Sequence, residues 1–335
     1  MKLQPLGRST PDRPAVSPKD LHVTWYEDWD AALDEALRVL PEMKDCSHGL
    51  YRALACNKIR TRKRYALVEE HGTPVAAIAL RRYRHHWEPV TMWLVPGALF
   101  PTTPGYLVAS LAALQTPVDV FWWRLSAPLP KDPAIRDLRA IPAYGMQLSE
   151  DIEKYWKKTG NWRNVRHNRN LCRDFTFAVD TPGAAELVVR KWAEKWAEDN
   201  PHILDHLEDR VFVSNYFAER GRYHTVLLQD KGETIAGASA YVHDHQLVAG
   251  VNFRNTDYDH YGVMSRVNDF FFHWGVEAGY SYFDIGGGPK YKRRWAPQQG
   301  ERYQFSVGPF SHRILRHTLQ LWRNARERLS RRRGA

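Results

Sequence analysis

The chain of 335 residues is 43% hydrophobic and 26% charged, the make-up of a globular protein too long for one ordinary core, so two domains are expected. No apolar run approaches the length of a membrane span, and the first twenty residues are polar and Pro-rich without an apolar signal core. A formal net charge of +10 favours anionic partners (phosphates, nucleic acid, an acidic membrane surface) without choosing among them.

In chain order, residues 1–20 are expected to form a disordered leader. Apolar residues at helical spacing predict a helix over Asp30–Leu40, limited by Pro41. Residues 65–80 predict a hairpin with strands Tyr65–Val68 and Val75–Leu80 around a turn at Glu69–Pro74. Thr91–Val95 and Val118–Leu125 are further strand candidates, with a short helix, Tyr106–Leu114, between them. From Lys154 to Arg173 there is no acidic residue, and Arg163, Arg166, Arg169 and Arg173 return to one side of a helix. Such a stripe can neutralise successive phosphates, whereas a merely solvated face normally mixes both signs. Gly183–Asp199 predicts an amphipathic helix with Trp192 and Trp196 as core residues.

Residues 224–240 then repeat the first hairpin 160 positions on: Gly232 falls on Gly72, Ile235 on Val75, Ala236 on Ala76 and Gly237 on Ala77. A strand, a helix and another strand follow in both halves, which points to duplication. The fold class expected is α/β (α+β), two tandem units of mixed sheet flanked by helices, over residues 21–150 and 151–310. In the second unit Leu247–Phe253, Gly262–Ala278 and Tyr280–Ile285 form a β-α-β unit, with Gly279 ending the helix, so the two strands should be parallel. Ser311–Arg333 is a basic amphipathic helix with Leu315, Leu319, Trp322, Ala325 and Leu329 in its stripe; packing on the domain is expected, and peripheral contact with an anionic surface is the alternative.

The stretch YSYFDIGGGPKYKRRW, Tyr280–Trp295, has the strongest character of a site. Gly286, Gly287 and Gly288 let the backbone turn and a ligand approach closely, and Asp284 sits at the carboxyl end of a strand, where open α/β sheets bind ligands. The plain alternative is a strand-to-helix turn with a solvated basic face. His243-Asp244-His245 and His85-His86 are read as polar turns rather than metal ligands. Cys46, Cys56 and Cys172, an odd number with neither disulfide nor nucleophile spacing, point to a reducing cytoplasm and away from a covalent mechanism.

Phe283-Asp284-Ile285-Gly286-Gly287-Gly288 followed by Tyr291-Lys292-Arg293-Arg294-Trp295, after a glycine-turn hairpin, strand and helix, resembles the GNAT-like acyltransferase domain of CelD-like and Fem-type proteins. Those typically show an Asp-Phe-x-x-Gly run and then Tyr-Lys-x-x-Trp, so Asp284, Gly287 or Gly288, Tyr291, Lys292 and Trp295 take the matching places. The resemblance covers residues 150–310 well and the first half in outline. It implies transfer of an acyl group onto an amine, with the donor in a wedge between the two parallel strands. Tyr261, Gly262, Val263 and Met264, at the helix start, would offer N–H groups to a phosphate. Asp284 would accept a proton or orient the amine, Tyr291 would protonate the leaving group, and Lys292 would meet a phosphate or the developing oxyanion. The Arg/Gln-x-x-Gly-x-Gly/Ala loop of acetyl-CoA-dependent members is replaced here by Asp257–Val263. No tightly bound cofactor is expected. The donor co-substrate is an acyl-CoA or an aminoacyl-tRNA, and tRNA would suit the 154–173 stripe. The contrasting expectation is a non-catalytic GNAT-like scaffold that binds RNA or another polyanion.

Overall fold

The computed structural model describes residues 17–308 apart from residues 44, 58–61, 84–85, 93, 96–97, 123–131 and 149–150. The expected basic helix at 311–333, residues 1–16 of the expected leader and His85 lie outside the described residues. Pro18–Asp20, the end of that leader, forms a 3-10 turn capped by Ser17.

The first half runs β1 (Leu21–Tyr26), α1 (Ala31–Val39), α2 (His48–Cys56), β2 (Lys63–Glu70), β3 (Thr73–Tyr83), β4 (His86–Pro89), α3 (Leu107–Ala113), β5 (Val118–Trp122) and β6 (Ile135–Gln147). The second runs α4 (Ile152–Lys158), α5 (Trp162–Leu171), β7 (Thr176–Val179), α6 (Ala184–Ala197), α7 (Leu207–Ala218), β8 (Tyr223–Asp230), β9 (Glu233–His243), β10 (Gln246–Arg254), α8 (Val263–Glu277), β11 (Tyr282–Gly287) and β12 (Gln298–Val307). Asp30 caps α1 through Ala32 N–H, and Leu33, Ala36 and Leu37 bury its inner face, as the spacing predicts. Thr91–Val95 is not a strand. The backbone turns there, with the N–H groups of Leu94 and Val95 both donating to the Thr91 carbonyl. Trp192 is half-buried under the Arg210 guanidinium, but Trp196 is 44% exposed: one turn further along, it lies past the end of the sheet-facing stripe.

The two hairpins superimpose in number as well as in pattern. β2–β3 and β8–β9 begin and end 160 positions apart, turn through His71-Gly72 and Lys231-Gly232 with positive φ, and shift register at the same place, Val68/Glu69 and Leu228/Gln229. The turns are tighter than Glu69–Pro74, because Gly72 (φ 78°) and Gly232 (φ 87°) take the left-handed conformation that a two-residue hairpin requires.

The described strands form one sheet of twelve in the order β1-β2-β3-β4-β5-β12-β6-β11-β10-β9-β8-β7. The halves exchange their last strands: β6 pairs with β11, β12 pairs with β5, and β6 and β12 pair with each other at the centre. The sheet is therefore continuous across the division in sequence. In the second half alternate residues serve opposite faces, Val226 and Leu228 packing with Val267 and Phe271 of α8, Leu227 with Val188 and Val189 of α6. Gly275 lets α8 lie close on the sheet, since a Cβ there would come within 3.0 Å of Leu148 and Leu247.

Gly145 of β6 is a different case: a Cβ would lie 1.8 Å from Tyr282 Oη and 2.3 Å from Cζ, because the buried Tyr282 ring crosses over it. Gly145→Ala is expected to destabilise the fold by about 1–3 kcal/mol, the cost of overpacking a close-packed site. Urea unfolding checks this, and adding Tyr282→Leu should restore part of the loss.

Candidate functional site

The centre of the second half is a place where two parallel strands part. β10 and β11 pair at Gln246–Val248 with Tyr282–Asp284 and no further. At that point β10 shifts register against β9, between Ala249 and Asn252, and β11 shifts against β6, between Asp284 and Gly286. A bulge bends its strand and breaks the ladder, so Ala249–Arg254 and Ile285–Gly287 border a wedge, on the two strands from which the sequence leads one to expect it. Gly286, at φ 87°, makes the second bend.

Asp284 is buried at this bend, and both its oxygens are occupied. Oδ1 accepts the Gly286 N–H at 2.8 Å, and Oδ2 accepts Arg302 Nη2 at 2.5 Å. Arg302, itself buried, comes from β12 and reaches across β6. Asp284, expected to accept a proton or orient the amine, thus has one oxygen on the β11 backbone and the other on Arg302. Lys292, in the 3-10 turn Lys290–Arg294, folds back so that Nζ donates to the carbonyls of Ile285 at 2.7 Å and Gly287 at 3.0 Å. Both carbonyls lie past Asp284, the last residue of β11 that pairs with β10. Burial, then the nearby Arg302 charge, push the Lys292 amine down to about 8 against the opposing pull of Asp284. Tyr291 is 60% exposed and lies near enough to Arg254 of β10 to act on its charge. Trp295 closes the motif from inside, stacking on Phe272 and accepting Trp156 Nε1–H on its carbonyl at 3.0 Å.

The other expected groups are spread more widely. Gly287 pairs with Ala143 and Gly288 N–H donates to Pro142 O, so the Gly288 N–H serves the sheet and not a ligand. Gly262 starts α8 in the left-handed conformation (φ 68°), its α-carbon facing Asn168 of α5. No side chain caps α8, so the first-turn N–H groups from Val263 and Met264 lack that partner, while Val263 itself is fully buried. The preceding turn, Thr256–Tyr261, carries Asp257 and Asp259, the latter paired with Arg254. Tyr261 packs on Phe175, and its carbonyl accepts the Cys172 thiol, which burial pushes up to about 11. Such a thiol is not a poised nucleophile.

Along α5, Arg163 and Arg166 are exposed, and Arg173, just past the helix end, is exposed beside Asp174. Arg169 is not part of an open stripe. Its guanidinium grips both oxygens of the buried Asp269 at 2.7 and 2.8 Å and Glu153 at 3.1 Å, tying α4 and α5 to α8. Burial would raise the Asp269 carboxyl, but hydrogen bonds from Arg169 and His273 outweigh it and hold the group below its ordinary range. In the hairpin turn before β10, His243 pairs with Asp45 of the first half.

The equivalent parting of β4 and β5 in the first half is filled. These strands pair only at Trp87 with Val118, and the 91–95 turn enters beyond: Phe121 N–H donates to Met92 Sδ at 3.3 Å, and Arg81 donates to the Met92 carbonyl at 2.8 Å. Thr91, Met92, Leu94 and Val95 are all buried.

Arg302 and Tyr282 were not legible as site residues, because their roles arise from a strand exchange far along the chain. Gly145 carried a signal, a glycine inside a strand pattern. Removing one member of the buried pair leaves the other charge stranded, so Asp284→Ala is expected to destabilise by about 3–5 kcal/mol. Thermal and urea unfolding of Asp284→Ala, Arg302→Met and the double variant check this, the double being less destabilised than the sum.

A family model described as an acetyltransferase (GNAT) domain matches residues 160–304. No curated protein matches the sequence significantly. Among solved structures, L-PGS from Bacillus licheniformis aligns with 13% identity over 90% of this chain and 98% of its own, with a TM-score of 0.51. A tandem GNAT protein from the clavulanic acid biosynthesis pathway aligns with 12% identity over 86% and 99%, TM-score 0.45, and FemX with 10% identity over 84% and 96%, TM-score 0.42. At such identities the first of these likenesses speaks to the fold alone. The wedge at the parting of β10 and β11 lies inside the segment that the acetyltransferase (GNAT) domain model matches, and the fold of the chain is similar to that of L-PGS.

Proposed function

We propose that the protein transfers an acyl or aminoacyl group from an acyl-CoA or an aminoacyl-tRNA to an amine by direct aminolysis. The observation that carries this is Lys292, whose amine is held by two β11 carbonyls at the wedge. The donor's amide-bearing or aminoacyl arm lies between β10 and β11, where strand groups past Val248 and Asp284 have no ladder partner in each other. Protonated Lys292 has three N–H groups, two of them committed to Ile285 and Gly287. The third donates to the donor's carbonyl oxygen.

The acceptor amine attacks the acyl carbon, forming the C–N bond and placing negative charge on that oxygen, where Lys292 stabilises it. Collapse breaks the C–S or C–O bond. The proton shed by the amine passes to the leaving sulfur or oxygen, with Tyr291 the phenol at the mouth of the wedge. Asp284 acts through Arg302, keeping the end of β11 in register. The donor is a co-substrate rather than a resident cofactor, and the cytoplasm is where both donor types occur. Exposed Arg163, Arg166 and Arg173 suit the phosphates of an RNA carrier, whereas Asp257 and Asp259 before α8 disfavour a pyrophosphate at that helix start.

Lys292→Met is expected to lower kcat by about 10²–10³-fold, the usual cost of losing an oxyanion donor, with donor affinity little changed. Because the charged form is the working one, kcat/KM should fall as pH rises through about 8, measured with an acceptor of low basicity that is already deprotonated at neutral pH. A rate that rises through the same range would make the amine a base instead. Full transfer by Lys292→Met would remove Lys292 from the mechanism, and absence of transfer by the wild type would leave a non-catalytic polyanion-binding scaffold as the better account of the wedge.

A further inference from the structure

A second concavity lies on the other side of the turn that carries Lys292. It is a cleft of about 790 Å³ between the end of α4 and the Lys290–Arg294 turn, walled by Tyr155, Lys158, Thr159, Lys290, Arg293 and Arg294. Four of these six are cations, and among the described residues no carboxylate lines it. Several arginines elsewhere are matched: Arg169 with Asp269, Arg190 with Glu186 and Glu208, Arg222 with Asp45, Arg254 with Asp259, Arg302 with Asp284. Among the described residues, Lys158, Lys290, Arg293 and Arg294 make no such pair. Four convergent, unneutralised cations repel one another, and an anion removes that repulsion.

The walls are also built rather than incidental. Tyr155 Oη donates to the Arg293 carbonyl at 2.8 Å and Thr159 Oγ1 to the Arg294 carbonyl at 3.0 Å. With the Trp156 bond to the Trp295 carbonyl, three consecutive backbone carbonyls, those of Arg293, Arg294 and Trp295, are fastened to Tyr155 and Trp156 of α4 and to Thr159 just past its end. The backbone is thus held from behind while the cationic side chains stand free. Its volume falls in the range of ordinary ligand pockets.

We propose that this cleft binds adjacent phosphate groups, pyrophosphate or phosphodiester, of the donor that presents its acyl group to Lys292. Its role as a donor handle rests on the function proposed above, since Lys292 and the cleft share one five-residue turn. Phosphate binding itself does not require turnover. The site replaces the start of α8, whose approach carries Asp257 and Asp259, as the place where the donor's charge is held.

The test is equilibrium binding of CoA and of a fluorescent single-stranded RNA oligonucleotide to the full chain over a salt series. Three proteins are compared: wild type, a cleft variant (Lys158→Gln, Lys290→Gln, Arg293→Gln, Arg294→Gln) and an α5 variant (Arg163→Gln, Arg166→Gln, Arg173→Gln). The cleft variant should lose on the order of 10²-fold in affinity at low salt, and for RNA the slope of log affinity against log salt should drop by about three. The α5 variant should lose much less. Loss with CoA identifies a nucleotide thioester source and loss with RNA a nucleic-acid source, and either supports the cleft. Binding of neither ligand by wild type, or undiminished binding by the cleft variant, overturns it. Arg294→Gln alone, an exposed change, serves if the quadruple variant melts early. Lys292→Met should bind both ligands as wild type does, so loss of transfer without loss of binding separates failure of the reaction from failure of the cleft.

Discussion

The pairing of Asp284 with Arg302 is the interaction on which the centre of this molecule depends. A buried carboxylate at a strand end needs a partner, and here the partner comes from the last strand of the chain, reaching over β6. That contact needs β12 to lie in the sheet between β5 and β6, so it records the exchange of terminal strands between the halves. It also holds β11 at the residue where its pairing with β10 ends. Fold and wedge therefore share one constraint.

The two halves carry hairpins of the same length, turn and register shift. Both have a parallel strand pair that parts, but in the first half a methionine sulfur and a buried turn take up the space, while in the second the space is bordered by a lysine amine. An N–H satisfied by Met92 needs no ligand, whereas strand ends that lack a ladder partner can bond one.

Charge follows the same division of labour. Arginines that hold elements together are paired with carboxylates, as Arg169 is between α4 and α8, while cations of the turn after β11 and of the outer side of α5 stand exposed.

Local pattern alone determined much of this. The hairpins, their 160-residue repeat, the β-α-β unit and the Asp284 to Trp295 motif were legible because glycine turns, period-two strands and helical spacing are properties of contiguous residues. Four matters were not. Thr91–Val95 has strand composition but turns into a gap that a distant strand leaves, and Trp196 has helical spacing but lies past the sheet. Arg169 shares the polarity of its neighbours yet faces a carboxylate 100 residues on, and Asp284, expected to accept a proton or orient an amine, has a bond from Arg302 that no local pattern announces. Each depends on which strand or helix arrives from elsewhere in the chain, and the exchange of β6 and β12 is decided by packing between halves rather than by the residues within either. Sequence set the elements and the chemistry on them; tertiary structure alone decided which charges are spent on the fold and which stay free for a ligand.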